Sequence, residues 1–153
     1  NCAKHRDVDT PPLHNGKKVF SRNVACDLFT EHPCNAEGTT AISPPDGSMR
    51  DYIDSLRLLL THNPKRIFPA HGPTRDDAPT LIEQYIAHRL EREKQVFDAL
   101  ANGATSAASM RQRIYPDLDP RLHGAAEIQI AAHLIKLVED GRVIERGDSY
   151  AIQ

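Results

Sequence analysis

One long helix constrains this chain most. From Pro79, a favourable first-turn residue, the stretch TLIEQYIAHRLEREKQVFDAL carries apolar residues at three- and four-residue spacing as far as Asn102-Gly103. Leu81, Ile82, Tyr85, Ile86, Leu90, Phe97 and Leu100 are expected to face inward, with Glu91, Arg92, Glu93 and Lys94 as a solvated face. Upstream, GTTAISPPDG reads as a short strand falling into a turn. Ser48 then caps a helix that runs to about Asn63, with Asp51 at its third position and Asn63-Pro64 as its stop. Met49, Tyr52, Ile53, Leu56, Leu59 and Leu60 form its buried stripe. Next, RIFPAHGPTRD looks like a strand at Arg66-Ile67-Phe68 that delivers His71 to a loop between Ala70 and Gly72-Pro73. The residues alone leave His71 open between a turn histidine without duty and a functional imidazole, since chemistry tends to sit on loops at strand ends. Strand, turn, helix, strand, loop is an α/β rhythm.

After Gly103 the texture changes. Thr105 to Arg113 reads as a short helix, Pro116 to Pro120 as a turn region, and Ala125 to Asp140 as a helix carrying Ile128, Ala131, Ala132, Leu134, Ile135 and Leu137. Gly141 ends that helix, and RVIERGDSYAIQ reads as a hairpin turning at Arg146-Gly147-Asp148. Helix, turn, helix, hairpin is the outline of a winged helix. The first 27 residues are polar and broken by Pro11, Pro12 and Gly16, and KKVFSRNVACDLF hints at strands through Val19, Phe20, Val24, Leu28 and Phe29.

Composition excludes some function classes. A formal charge of −2 with 26% charged residues gives no large field for nucleic acid or anionic membrane. Cys2, Cys26 and Cys34 are an odd number without metal-type spacing, so a reducing, cytoplasmic setting is expected. Cys34 has no evident base partner. No apolar run approaches the ~20 residues needed to cross a bilayer. The chain starts at Asn1 rather than at methionine, which suggests a longer protein.

Four stretches in order, GTTAISPPDG, RIFPAHGP, EQYIAHRLERE and IYPDLDPRL, resemble the C-terminal half of a metallo-β-lactamase-fold hydrolase, the β-lactamase-like protein 2 group with its C-terminal winged helix. The resemblance runs from about Leu28 to the end. It implies an α/β fold, part of an αββα sandwich over 1–102 with its long final helix, followed by a small winged-helix domain over 103–153. It also implies that His71 matches the family's last metal-binding histidine. A neutral imidazole is a good zinc ligand, and such hydrolases use the metal to make hydroxide near neutral pH and to polarise the bond under attack.

The sequence departs from the family elsewhere. The H-x-H-x-D-H run of the first half is absent. Where the family has a T-P-G-H turn this chain has DTPPLH, which puts Leu13 at the ligand position and His14 one residue late. The family's shared aspartate follows LFTG; here LFTEHP places His32 at that position and Glu31 at the preceding glycine. An imidazole nitrogen serves one cation, so a shared two-metal centre is not expected. A mononuclear zinc site from His14, Glu31 or His32, and His71 is the metal alternative; an incomplete site with weak or absent zinc, and a chain inactive by itself, is the other. His88 and His133 read as packing or surface histidines, His62 and His123 as residues at helix edges, and Thr39 and Thr40 as strand residues that could touch a substrate in the intact family site.

Family substrates include esters, thioesters, phosphodiesters and, in some members, single-stranded RNA. The partner expected is thus a small molecule or single-stranded RNA. Duplex DNA is not expected: from Gly103 onward Arg111, Arg113, Arg121, Lys136, Arg142 and Arg146 are outweighed by Asp117, Asp119, Glu127, Glu139, Asp140, Glu145 and Asp148. Membrane binding is not expected either. The competing functional reading is a catalytically silent docking module built on the winged helix.

Overall fold

The computed structural model describes residues 41–67 and 74–153. Helix α1, Met49–Thr61, starts as the sequence dictates, with Ser48 Oγ accepting from the Asp51 amide at 3.2 Å. It ends at His62, and Asn63 follows with a positive φ of 49°. Helix α2, Ala78–Ala101, is followed by Gly103 at φ 88°, where Ala104 N–H reaches Ala99 O and Gly103 N–H reaches Leu100 O. That paired closure needs a left-handed residue, which glycine adopts without a Cβ penalty. The same closure recurs at Gly141 after α4.

Helix α3, Ala107–Ile114, opens on a reciprocal capping box between Ser106 and Ser109. A 3₁₀ turn, Pro120–Leu122, capped by Asp119, leads directly into helix α4, His123–Glu139. Helix α4 therefore begins two residues before the expected Ala125. Strands β1, Val143–Arg146, and β2, Ser149–Ile152, form an antiparallel hairpin with Arg146 opposite Ser149, so Gly147-Asp148 is its turn. Tyr150 N–H also bonds Thr105 O at 2.9 Å, which ties the wing to the segment entering α3. The described residues are mostly helical with one small sheet, the hairpin that forms the wing, consistent with the expected partial α/β fold followed by a winged helix.

Two apolar clusters share the long helix. One gathers Ile42, Met49, Tyr52, Ile53, Leu56, Ile67, Leu81 and Ile82 around α1 and the start of α2. The other gathers Val96, Ala99 and Leu100 from the end of α2 with Met110, Ile130, Leu134, Leu137 and Val143. Ala132 of α4 reaches back into the first cluster, so α4 packs on both.

Several packing expectations are corrected. Leu90 is exposed, whereas Arg89 and Glu93 are buried. The inward stripe of α2 runs Ile82, Arg89, Glu93, Val96, Leu100, and two polar residues lie on it because α4 places polar partners opposite them. Lys136 Nζ meets Glu93 Oε2 at 2.9 Å, and Gln129 Oε1 accepts from Arg89 at 3.2 Å. On α4, Ile128 and Ile135 are exposed and the buried face is Ile130, His133, Leu134 and Leu137. Residues 41–43 form no strand; the Gln129 side-chain amide instead pairs both ways with the Ile42 backbone, at 3.2 and 2.9 Å.

Candidate functional site

Two places in the fold concentrate polar chemistry. The first is the pair of segments on either side of residues 68–73. Ile67 and Arg75 exchange both backbone hydrogen bonds, at 2.8 and 3.0 Å, as an isolated antiparallel bridge. The expected strand at Arg66-Ile67-Phe68 is thus reduced, among the described residues, to one bridge at Ile67. Arg66 pairs with Asp76 beside it. Arg75 forks onto Asp77, Nε to Oδ1 at 2.9 Å and Nη2 to Oδ2 at 2.6 Å, and this contact holds the Asp77 carboxyl below its ordinary range. Those pairs fix where the chain leaves and re-enters. His71 itself, with His14, Glu31, His32 and Leu13, lies outside the described residues, as do Thr39, Thr40 and the three cysteines.

The second place is a cleft of about 200 Å³ between α2, the end of α3 and α4. His88, Arg89 and Arg92 line it from α2, Tyr115 from the end of α3, and Gln129 and His133 from α4, over an apolar floor that includes Val96 and Ile130. Helical spacing puts Arg89 and Arg92 on adjoining turns of one face. Arg89 is 3% exposed and stacks over Tyr52 at 5.4 Å, while Arg92 lies 5.0 Å over Tyr115 and donates to Gln95. His133 is 2% exposed, and neither ring nitrogen has a hydrogen-bond partner among the described residues. Burial, reinforced by Arg89, Lys136, His88 and Arg92, pushes its pKa down to about 3, so the ring is neutral. The sequence reading assigned none of these residues to a site. The available signal was that Arg89 and Glu93 continue the spacing of Ile82, Val96 and Leu100, which marks polar groups on a buried stripe.

The other histidines divide simply. His88 is exposed, His62 is the C-cap of α1, and His123 opens α4 with its ring Nε2 3.1 Å from Leu118 O. Among the described residues no group of three His, Cys, Asp or Glu side chains is placed to hold a metal ion. No described helix is long and apolar enough to cross a membrane.

Comparison with known proteins fits this architecture. Residues 106–151 match the family described as "Beta-lactamase associated winged helix domain". The chain is 31% identical over 144 residues to the "Beta-lactamase-like protein 2 homolog" of Drosophila melanogaster, covering 92% of this chain and 48% of that protein. It is 28% identical over 145 residues to an "Atrochrysone carboxyl ACP thioesterase" of Emericella nidulans, covering 92% and 46%. A solved metallo-beta-lactamase family protein from Thermus thermophilus superposes with a TM-score of 0.64 at 19% identity, over 83% of this chain and 40% of that one, and so shares the fold. The chain spans about half the length of the curated relatives it matches. The resemblance to the C-terminal half of the β-lactamase-like protein 2 group, winged helix included, is borne out.

Proposed function

We propose that this relative of the β-lactamase-like protein 2 homologues is part of a metal-dependent hydrolase of the metallo-β-lactamase superfamily, acting on an ester, thioester or phosphodiester, and that this chain holds its C-terminal portion with an incomplete metal site. The observation that carries the reading is the similarity over 92% of this chain to a protein about twice as long. The division proposed is a partial metallo-β-lactamase domain over 1–102 and a winged helix over 103–153, in a cytoplasmic setting.

The described residues do not fit a metal: they contain no cluster of three suitable donors. Zinc in this chain would therefore rest on His71 with His14, Glu31 or His32, and no catalytic step is assigned to it. What the described part supplies is the pair of segments on either side of residues 68–73, joined by the Ile67–Arg75 bridge and braced on the second side by the Arg75–Asp77 fork. The proposed partner is a small-molecule substrate or single-stranded RNA. Duplex DNA and membranes are not proposed, a reading supported by the pairing of winged-helix cations with acids: Arg111 with Glu127, Arg121 with Asp119, and Lys136 with Glu93 and Asp140.

Metal analysis after dialysis against trace zinc tests the incomplete site. Less than one equivalent per chain is expected, and His71→Ala should abolish it. Two tightly held ions per chain would refute the incomplete site and the assignment of Leu13 and His32.

A further inference from the structure

The cleft between α2 and α4 has the composition of a receptor for a small anion. Its described lining contains two guanidinium groups and two imidazoles and no carboxylate. One of those imidazoles, His133, is 2% exposed and has both ring nitrogens unpartnered among the described residues. A buried polar ring left without partners is destabilising, so its retention at the wall of a cavity calls for something in the cavity to complete it. A neutral imidazole presents one N–H donor and one acceptor. Arg92 Nη1 donates to Gln95 at 2.7 Å, so the planar fork it can offer to two oxygens of one group is its Nε–Nη2 edge, which stacking on Tyr115 does not obstruct in the plane.

We propose that this cleft binds the oxyanion group, carboxylate or phosphate, of a small molecule, with Arg92 and Arg89 supplying charge, His133 donating one hydrogen bond, and the Val96, Ile114 and Ile130 side chains receiving an adjoining apolar portion. The proposed site uses none of the residues considered as metal ligands and does not depend on a metal. Arg89 is held in place by Gln129 and Tyr52, so it contributes chiefly fixed positive charge. Arg92, half-buried at the mouth, makes the adjustable contact. The neutral state of His133 suits this role, because a ring that stays uncharged beside two arginines adds a directed hydrogen bond without further cation repulsion.

The test is titration of the full chain with sodium phosphate and, separately, sodium butyrate, against sodium chloride at equal ionic strength. Binding is read by thermal shift and by the histidine ring signals in ¹⁵N NMR. At least one of the two anions is expected to bind saturably with a roughly millimolar Kd and to move the His133 signals, whereas chloride does neither. Saturation by phosphate alone assigns a phosphoryl group, and saturation by butyrate alone assigns a carboxylate. Arg92→Gln should weaken binding about tenfold or more, while Arg57→Gln, at an exposed pair with Asp54 on α1, should leave it unchanged. No saturable response to either anion would overturn the proposal, as would binding indifferent to Arg92→Gln or equally sensitive to Arg57→Gln.

Discussion

Replacing Lys136 by methionine would remove the cation at the centre of the network that joins α2 to α4. Lys136 Nζ lies 2.9 Å from Glu93 and 2.8 Å from Asp140, and its side chain is 12% exposed against 8% for Glu93. Burial disfavours the charged amine, but the hydrogen bonds it donates to Asp140 and Glu93 outweigh it and hold the pKa above the ordinary lysine value of 10.5. That stabilisation is therefore fully present below the unfolded pKa and is lost only as pH rises through the folded one.

The two acids are left differently by the substitution. Asp140 keeps Arg50. Among the described residues Glu93 keeps only Arg142, at 3.7 Å and half exposed, so a nearly buried carboxylate loses its main partner. Breaking a buried pair costs about 3–5 kcal/mol, and the residual Arg142 contact argues for about 3. Glu93→Gln is milder, about 1 kcal/mol, because the amide oxygen still accepts from Lys136 and Lys136 retains Asp140. The double variant Glu93→Met with Lys136→Met should recover most of the loss, since no uncompensated charge remains. Urea unfolding at neutral pH measures all four proteins. Lys136→Met no worse than Glu93→Gln, or a double variant as damaged as Lys136→Met, would refute the reasoning.

Two further outcomes are expected. His133 has a folded pKa of about 3 against 6.5 unfolded, so the unfolded chain binds the extra proton first and stability falls as pH drops below 6.5, by up to about 1.4 kcal/mol per unit. His133→Leu should flatten that limb between about pH 4.5 and 6.5 in acid unfolding curves, and an unchanged slope would count against the buried neutral ring. The full chain should show no duplex DNA binding that weakens steeply with salt; submicromolar, salt-sensitive gel shifts would place the winged helix among DNA readers.

Where α1 begins and where α1, α2 and α4 stop was legible from the sequence, because those signals act within a few residues; the start of α4, at His123 rather than Ala125, was not. Ser48, Asn63-Pro64, Gly103 and Gly141 each satisfy or terminate a turn of backbone that they themselves belong to, and Gly147-Asp148 closes its own hairpin. The resemblance likewise rested on ordered local stretches, although the metal ligands it suggested, His14, Glu31, His32 and His71, fall outside the described residues. Which face of each helix is buried was decided only by tertiary structure. Leu90, Ile128 and Ile135 have the hydrophobicity of core residues and are exposed, while Arg89, Glu93 and His133 are inside. Arg89 and Glu93 can be buried because a partner stands opposite each, and those partners, Gln129 and Lys136, lie some 40 residues away in sequence. The cleft was illegible for the same reason: α2, the end of α3 and α4 contribute four, two and three lining residues, and their chemistry becomes a site only when the packing of α4 against the long helix brings them to one wall.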